Sequence, residues 1–371
     1  MINLKNDPLL LTPGPLTTSE SVKKAMVRDW GSRDLEFIEM TERVRFGVEE
    51  IAGVVDGSHV CVLLQGSGTF AVEAAITSLI PSDGRVLVLV NGAYGHRISR
   101  VCEYHGREYV SLETDENVSP DVGELAAYLA SNADITHVIA VHCETTSGIL
   151  NPIAEIAGVV QDHECHLIID AMSSFGALPL SVQDVHCLAI VASSNKCLEG
   201  VPGISFVVAK REALQKGRGN ANSLALDIHA QWAGFESNGQ WRFTPPTQVL
   251  AALDQAISEH KQEGGVDARG RRYAGNCRIL IEGMRRLGFQ TYLSDNLQAP
   301  IIVTFHRPPH TNFEFDEFYH RLKDKGFAIY PGKLTKADSF RMGCIGHLFE
   351  DDMKAAVEAV RDVLAEMEIT L

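Results

Sequence analysis

The chain has 371 residues, 45% of them apolar and 22% charged, which exceeds one average domain, allows a large buried core and excludes long disordered tracts. Its 48 acidic and 33 basic side chains leave a net charge of -15 with the basic residues scattered, so neither nucleic acid nor an anionic membrane surface is an expected partner. The eight cysteines stand far apart, mostly inside apolar runs and with no Cys-x-x-Cys pair, and read as reduced, buried thiols of a cytoplasmic protein.

The opening residues, Met1 to Pro8, lack the basic region of a leader, and no later segment reaches the ~20 apolar residues of a spanning helix. Pro13-Gly14-Pro15 is a rigid turn. Thr17 with Glu20 three residues later has the spacing of a capping box and predicts a helix through about Arg28. Residues 1–20 are too short for a domain and are expected to lie across one. From about residue 60 to 210, apolar runs at 86–90, 137–141, 167–170, 189–192 and 204–208 alternate with helical patterns, including one over 70–80. Runs this apolar fit strands covered on both faces, so the fold class is α/β with a mainly parallel sheet. A long helix is predicted from Pro245-Pro246 to Glu263. After Gly264-Gly265 the pattern of helices and short strands predicts a smaller C-terminal α/β domain. The expected organisation is an N-terminal segment, 1–20; a large domain, 21–263; and a small domain, 264–371.

Three clusters read as structural. Arg269-Gly270-Arg271-Arg272 is expected to form a solvated helix face. His163-Glu164-Cys165-His166 has metal-ligand residue types, but at a helix-to-strand junction alternate side chains point to opposite faces, so no metal is expected. Glu350-Asp351-Asp352 opens the last helix, where negative charge offsets the positive dipole end.

Three other elements carry chemistry together. Gln65-Gly66-Ser67-Gly68-Thr69 follows a strand-like run and opens a helix, where small residues let N–H groups and two hydroxyls approach a phosphate. No Gly-Lys-Ser/Thr follows, so it is not a Walker loop. Asp170 ends an apolar strand, at the edge where open α/β sheets bind ligands. Lys196 comes just past the next strand with few charges nearby, and a lysine partly removed from water acts as a carbonyl nucleophile. A phosphate cup, an acid for a pyridinium nitrogen and an amine for an aldehyde are what pyridoxal phosphate requires.

The motifs Leu10-Leu-Thr-Pro-Gly-Pro15, Leu64-Gln-Gly-Ser-Gly-Thr69, Asn91-Gly-Ala-Tyr-Gly95, His142-Cys-Glu-Thr-Thr146, Asp170-Ala-Met-Ser-Ser174, Asn195-Lys196, Trp241-Arg-Phe-Thr-Pro245 and Ile329-Tyr-Pro-Gly-Lys333 run in order over nearly the whole chain. In them the sequence resembles the class V, fold-type I pyridoxal-phosphate aminotransferases, and within that family the branch that moves the amino group of 2-aminoethylphosphonate to pyruvate. The resemblance implies a catalytic Lys196 that bonds the cofactor and shuttles a proton, with Asp170 on the ring nitrogen. It implies Ser67, Gly68, Thr69 and Asn195 at the cofactor phosphate, with Thr244 reaching it from a neighbouring subunit of a homodimer. Tyr94 would lie over the ring, Thr145 would touch the ring oxygen, and Arg341 would hold the substrate anion through two parallel hydrogen bonds.

One segment departs from that branch. Asp29-Trp-Gly-Ser-Arg-Asp34 is closer to alanine:glyoxylate-type relatives, so alanine or serine with glyoxylate stays open as a second pairing. Arg33 in it would serve as a second guanidinium for a phosphonate, or pair with Asp34 or Glu36 on the surface. A desulfurase on this scaffold would need a cysteine in a flexible Gly/Ser loop, and none stands in one.

Overall fold

The computed structural model describes residues 7–371. Residues 1–6, on which the reading of the leader and part of the 1–20 segment fall, lie outside the described residues. Seven strands form the main sheet: β1 (His59–Gln65), β2 (Arg85–Val90), β3 (Glu108–Glu113), β4 (Ile135–Val141), β5 (His166–Asp170), β6 (Ala189–Ser193) and β7 (Ile204–Lys210). Their order is β1-β7-β6-β5-β4-β2-β3, and only β7 runs against its neighbours. The five expected strands are present, with 204–208 as the reversed β7, and β1 and the more exposed β3 join them.

The six strands that share a direction end on one edge. The residues that follow β1, β2, β4, β5 and β6 are therefore gathered there, as the crossover geometry of parallel strands requires. Helix α3 (Gly68–Leu79) leaves β1 at that edge and α4 (Ala93–Tyr104) leaves β2. Val62, Leu63, Val88, Ile139, Ile168, Ile190 and Val207 fill the core between sheet and helices.

The N-terminal helix, α1 (Glu20–Ala25), differs from expectation at both ends. Ser19, not Thr17, caps it by accepting from the Val22 N–H at 3.1 Å, and it stops at Ala25, short of Arg28. The Thr17 hydroxyl is already engaged, accepting from the Leu10 N–H at 2.8 Å. Helix α2 (Leu35–Ile51) and α5 (Thr247–Glu263) pack on one side of the sheet.

Past Gly264, α6 (Gly265–Arg286) and α7 (Glu350–Glu366) cover a second, antiparallel sheet of β8 (Ile302–His306), β9 (Tyr330–Pro331) and β10 (Ser339–Gly343), in the order β8-β10-β9. Its core is built on Phe289, Phe305, Phe318 and Phe340. Leu11 joins that core, because the N-terminal segment runs along β10 and the Gly343 N–H donates to the Leu11 carbonyl at 2.8 Å. No helix among the described residues is long and apolar enough to cross a membrane.

The basic cluster of α6 is not a solvated face. Arg269 is buried and Arg272 half-buried, and only Arg271 is exposed. Glu199 and Glu263 take both guanidinium groups, with Arg272 to Glu199 at 2.7 Å and Arg269 to Glu263 at 2.6 Å. The acids that bury these arginines come from other elements, which a local charge run cannot reveal.

Candidate active site

A cavity of about 210 Å³ lies at the strand-end edge, lined by Ser67, Gly68, Thr69, Tyr94, Asp170, Asn195 and Lys196 among others. They come from the ends of four parallel strands, β1, β2, β5 and β6, so the sheet topology assembles the set.

Lys196 sits in a knot of backbone bonds. The Glu199 N–H donates to the Lys196 carbonyl at 2.8 Å, and the Gly200 N–H to the Ser194 carbonyl at 2.8 Å. Arg269 Nη1 donates to the Cys197 carbonyl at 2.6 Å and ties the knot to α6. The loop is joined to the turn after β1 as well, since the Gly66 N–H donates to the Gly203 carbonyl at 2.9 Å. Lys196 Nζ donates to the Pro13 carbonyl at 2.9 Å and lies 3.4 Å from that of Gly14. Gly14 has a φ of +119°, and a Cβ there would stand 2.5 Å from Lys196 Cδ and 2.6 Å from the Asn195 carbonyl oxygen. Only glycine lets this turn rest against the lysine. Burial lowers the Lys196 ammonium, with Arg341 adding to the effect and Tyr94 and Asp170 opposing it. The neutral, nucleophilic amine is thereby favoured.

Asp170, at the end of β5, is 5% exposed. Burial pushes its carboxyl up to about 6, against the Met172 N–H that donates to Oδ1 at 2.9 Å. No lysine, arginine or histidine among the described residues pairs with it. A buried carboxylate with no ion pair, which Arg97 and Lys196 favour only from a distance, is a costly arrangement that a protonated ring nitrogen would relieve. Across the cavity, α3 begins at Gly68, and its first N–H groups have no acceptor within the helix. A Cβ on Gly68 would meet Met172 Sδ at 2.1 Å, so a larger residue there would displace the Met172 side chain. A phosphate at the helix start, a ring on Asp170 and an aldehyde at Lys196 fit this donor set.

Tyr94 opens α4, whose N-terminus is capped from outside. The buried Glu144 accepts from the Tyr94 N–H at 3.1 Å and the Gly95 N–H at 3.4 Å through Oε2, while Oε1 accepts from the Thr146 N–H at 2.9 Å and from the Thr146 hydroxyl. Gly92 makes room, since a Cβ there would stand 2.5 Å from Glu144 Cδ. Burial raises the Tyr94 phenol, but Lys196, a hydrogen bond with the Thr145 hydroxyl and Lys333 outweigh it and the net shift is downward. Lys333 Nζ stands 4.3 Å and Arg97 Cζ 4.8 Å from the centre of the Tyr94 ring. Glu144, Arg97 and Lys333 were not picked out from the sequence, although Glu144 and Lys333 stand in motifs that were.

Arg341 lies on β10 opposite Tyr330 of β9. It is buried, and its Nη1 donates to the Thr145 carbonyl at 2.8 Å and its Nε to the Pro331 carbonyl at 3.1 Å. Two of its three nitrogens are thus tied to backbone, which leaves Nη2 as the nitrogen free of protein partners among the described residues. The two-nitrogen fork expected from sequence is already partly used.

Thr244 and Arg33 are not brought to this cavity in their own chain. Both are exposed. Arg33 forms no ion pair among the described residues, and Glu36, its suggested partner, is taken by Arg28 at 2.6 Å. The segments that carry them are joined, because Gln248 donates to Asp29 at 3.2 Å and the Trp241 indole to Thr41 at 3.2 Å. A larger cavity, about 990 Å³, adjoins the first through Arg97 and is bordered by Gly92, Arg100, Tyr104, Lys333 and Thr335.

Comparison with known proteins agrees with this geometry. The family described as Aminotransferase class-V matches residues 17–341. A 2-aminoethylphosphonate--pyruvate transaminase of Pseudomonas putida is 52% identical over 368 residues, covering 99% of both chains. One from Pseudomonas aeruginosa is 52% identical over 369 residues, covering 100% of this chain and 99% of its own. Among solved structures, pyridoxamine-pyruvate aminotransferase from Mesorhizobium loti superposes with a TM-score of 0.89 at 25% identity, over 98% of this chain and 93% of that one. Alanine--glyoxylate aminotransferase from Nostoc superposes with a TM-score of 0.88 at 22% identity, over 96% and 95%, and shares the fold.

Proposed function

Since the chain belongs to the class V aminotransferases, we propose that it transfers the amino group of 2-aminoethylphosphonate to pyruvate, giving phosphonoacetaldehyde and L-alanine. The observation that carries this reading is the placement of Lys196 and Asp170 on one cavity at the strand ends, in a chain half identical to transaminases of that name over its whole length.

Pyridoxal phosphate, the cofactor of this family, supplies an aldehyde for amines and a ring that withdraws electron density from the carbon bearing the nitrogen. Ser67, Gly68, Thr69 and Asn195 are assigned to its phosphate, and Asp170 to its ring nitrogen, which the carboxylate keeps protonated. Tyr94 is assigned to the ring face and Thr145 to the ring oxygen. Lys196 Nζ would hold the aldehyde, and its amine would be the group that holds and moves the proton of the substrate carbon. Burial that favours its neutral form suits it to both tasks. The N-terminal turn at Pro13-Gly14 covers the amine and keeps bulk water from it. Arg341 holds the substrate anion through Nη2.

The assembly that completes the site is a homodimer in the cytoplasm, with Thr244 and Arg33 entering the neighbour's site from their joined segments. Exposed Leu35, Phe70 and Phe243 support burial of this side against a second copy. Residues 21–263 and 264–371 are the large and small domains of each copy.

Mixing holoenzyme with a single amine and following the visible band of the bound cofactor tests the function. 2-Aminoethylphosphonate should bleach the band and pyruvate should restore it. Bleaching by alanine or serine, restored by glyoxylate, with no response to the phosphonate would replace this reading with the glyoxylate pairing suggested by Gly31 to Arg33.

A further inference from the structure

The β9–β10 hairpin carries a second cation toward the site. At Gly332 the chain turns so tightly that a Cβ would stand 2.3 Å from the Ser339 carbonyl oxygen, so glycine is required there. The turn sends Lys333 to the face of Tyr94, 4.3 Å from the ring centre. The rest of the loop is clasped to the large sheet. The Thr335 N–H and hydroxyl donate to Glu116 Oε2 at 3.1 and 3.3 Å, and Lys336 pairs with Asp115. Lys333 alone among the loop's cations makes neither an ion pair nor a hydrogen bond with any described residue. Such a clasp orders the chain beyond Lys333 and leaves its ammonium against the Tyr94 ring, which also lines the Lys196 cavity, with no carboxylate paired to it among the described residues. Tyr94 of α4 faces it, and Arg97 stands over the same ring; the larger cavity that Lys333 borders also carries Glu73, Glu113, Asp115 and Glu116, the last two held by Lys336 and Thr335.

The chemistry of the two amino donors separates Lys333 from Arg341. In alanine the carboxylate is bonded directly to the carbon that loses its proton. In 2-aminoethylphosphonate a methylene intervenes, so the anion lies farther from Lys196, and it offers three oxygens and up to two charges. Arg341, with Nε and Nη1 committed to Pro331 and Thr145, cannot satisfy three oxygens through Nη2. An ammonium on a flexible stem, with three donors, meets the remainder. We propose that Lys333 is a phosphonate-binding residue, which together with Arg341 sets the preference of this enzyme for an aminoalkylphosphonate over an amino acid; the proposal rests on the transaminase reading above.

The test uses holoenzyme of wild type, Lys333→Met and Lys333→Arg, with KM and kcat measured for 2-aminoethylphosphonate with pyruvate and for alanine with phosphonoacetaldehyde. Titrations of the cofactor band with each amine alone give binding constants independent of turnover. Loss of a charge-assisted contact should raise the phosphonate KM and Kd by about ten- to a hundredfold, with the alanine constants moved less than about threefold. Lys333→Arg should recover most of the loss. Equal shifts for both donors, or no shift for the phosphonate, would overturn the proposal; an unchanged melting temperature certifies that the variants are folded, and Lys333→Gln replaces Met if it is not. Wild type that never accepts the phosphonate would refute the transaminase reading and this proposal with it, whereas active wild type with an unaltered Lys333→Met refutes the proposal alone.

Discussion

Two side chains carry the proposed chemistry, and each makes a distinct prediction. Lys196→Ala should still bind the cofactor but lose the absorption of the covalent link, and kcat should fall by at least about a thousandfold, since both nucleophile and proton carrier are gone. Asp170 makes a prediction in pH. Its folded value, about 6, lies above its ordinary 3.8, so the folded state holds that proton more tightly than the unfolded chain. Its contribution to stability is therefore complete at low pH and is lost as pH rises from about 4 to 6, a cost on the order of 3 kcal/mol that Arg97 and Lys196 offset only in part. In cofactor-stripped protein, Asp170→Asn should leave the melting temperature unchanged near pH 4 and raise it progressively toward pH 7. With cofactor added, the same substitution should cripple turnover. A melting temperature that falls at pH 7 would mean the carboxylate is already paired. Both residues were legible in the sequence because a polar group just after an apolar strand is conspicuous. Lys333 and Glu144 were not, because their partners, the Tyr94 ring and the first N–H groups of α4, belong to other segments.

Among the elements, α4 depends most on a single remote side chain. Its first residues carry Tyr94, and Glu144 accepts two hydrogen bonds from this terminus and two from Thr146, which tie it to the turn after β4. Glu144→Gln would set an amide NH2 against either the Tyr94 and Gly95 N–H groups or the Thr146 donors. The expected loss is about 2 kcal/mol, read as a lower denaturant midpoint, with weaker cofactor retention as Tyr94 shifts. The strands of the main sheet were readable from sequence, since burial on both faces leaves little but aliphatic residues in them. The ends of α1 were not. Thr17 and Ser19 are chemically equivalent caps, and the choice between them was made by Leu10, which claims the Thr17 hydroxyl.

At the scale of the whole molecule, the arginine cluster of α6 joins the Lys196 loop to the second sheet. Arg272 donates to the Gly346 and Leu348 carbonyls at 2.6 and 2.9 Å, and Arg269 to that of Cys197. Arg269→Met would strand Glu199 and Glu263 with one guanidinium between them. We expect a loss of about 3–5 kcal/mol in urea unfolding, against less than about 0.5 kcal/mol for the exposed Arg271→Met. The net charge, which argued against polyanions, does not bear on small anions, because these meet local groups: the start of α3, Arg341 and Lys333. The reversed strand β7 has a further effect. It lies between β1 and β6, and the bond from Gly66 to the Gly203 carbonyl fastens the turn that receives the phosphate to the loop that presents the lysine. On the proposed reading both ends of the cofactor would therefore be mounted on one frame whose span cannot be adjusted in one place without the other. The sheet works as a caliper set to a single length, and a cofactor analogue with its phosphate one methylene farther from the aldehyde should be rejected by the gap itself, before any side chain inspects it.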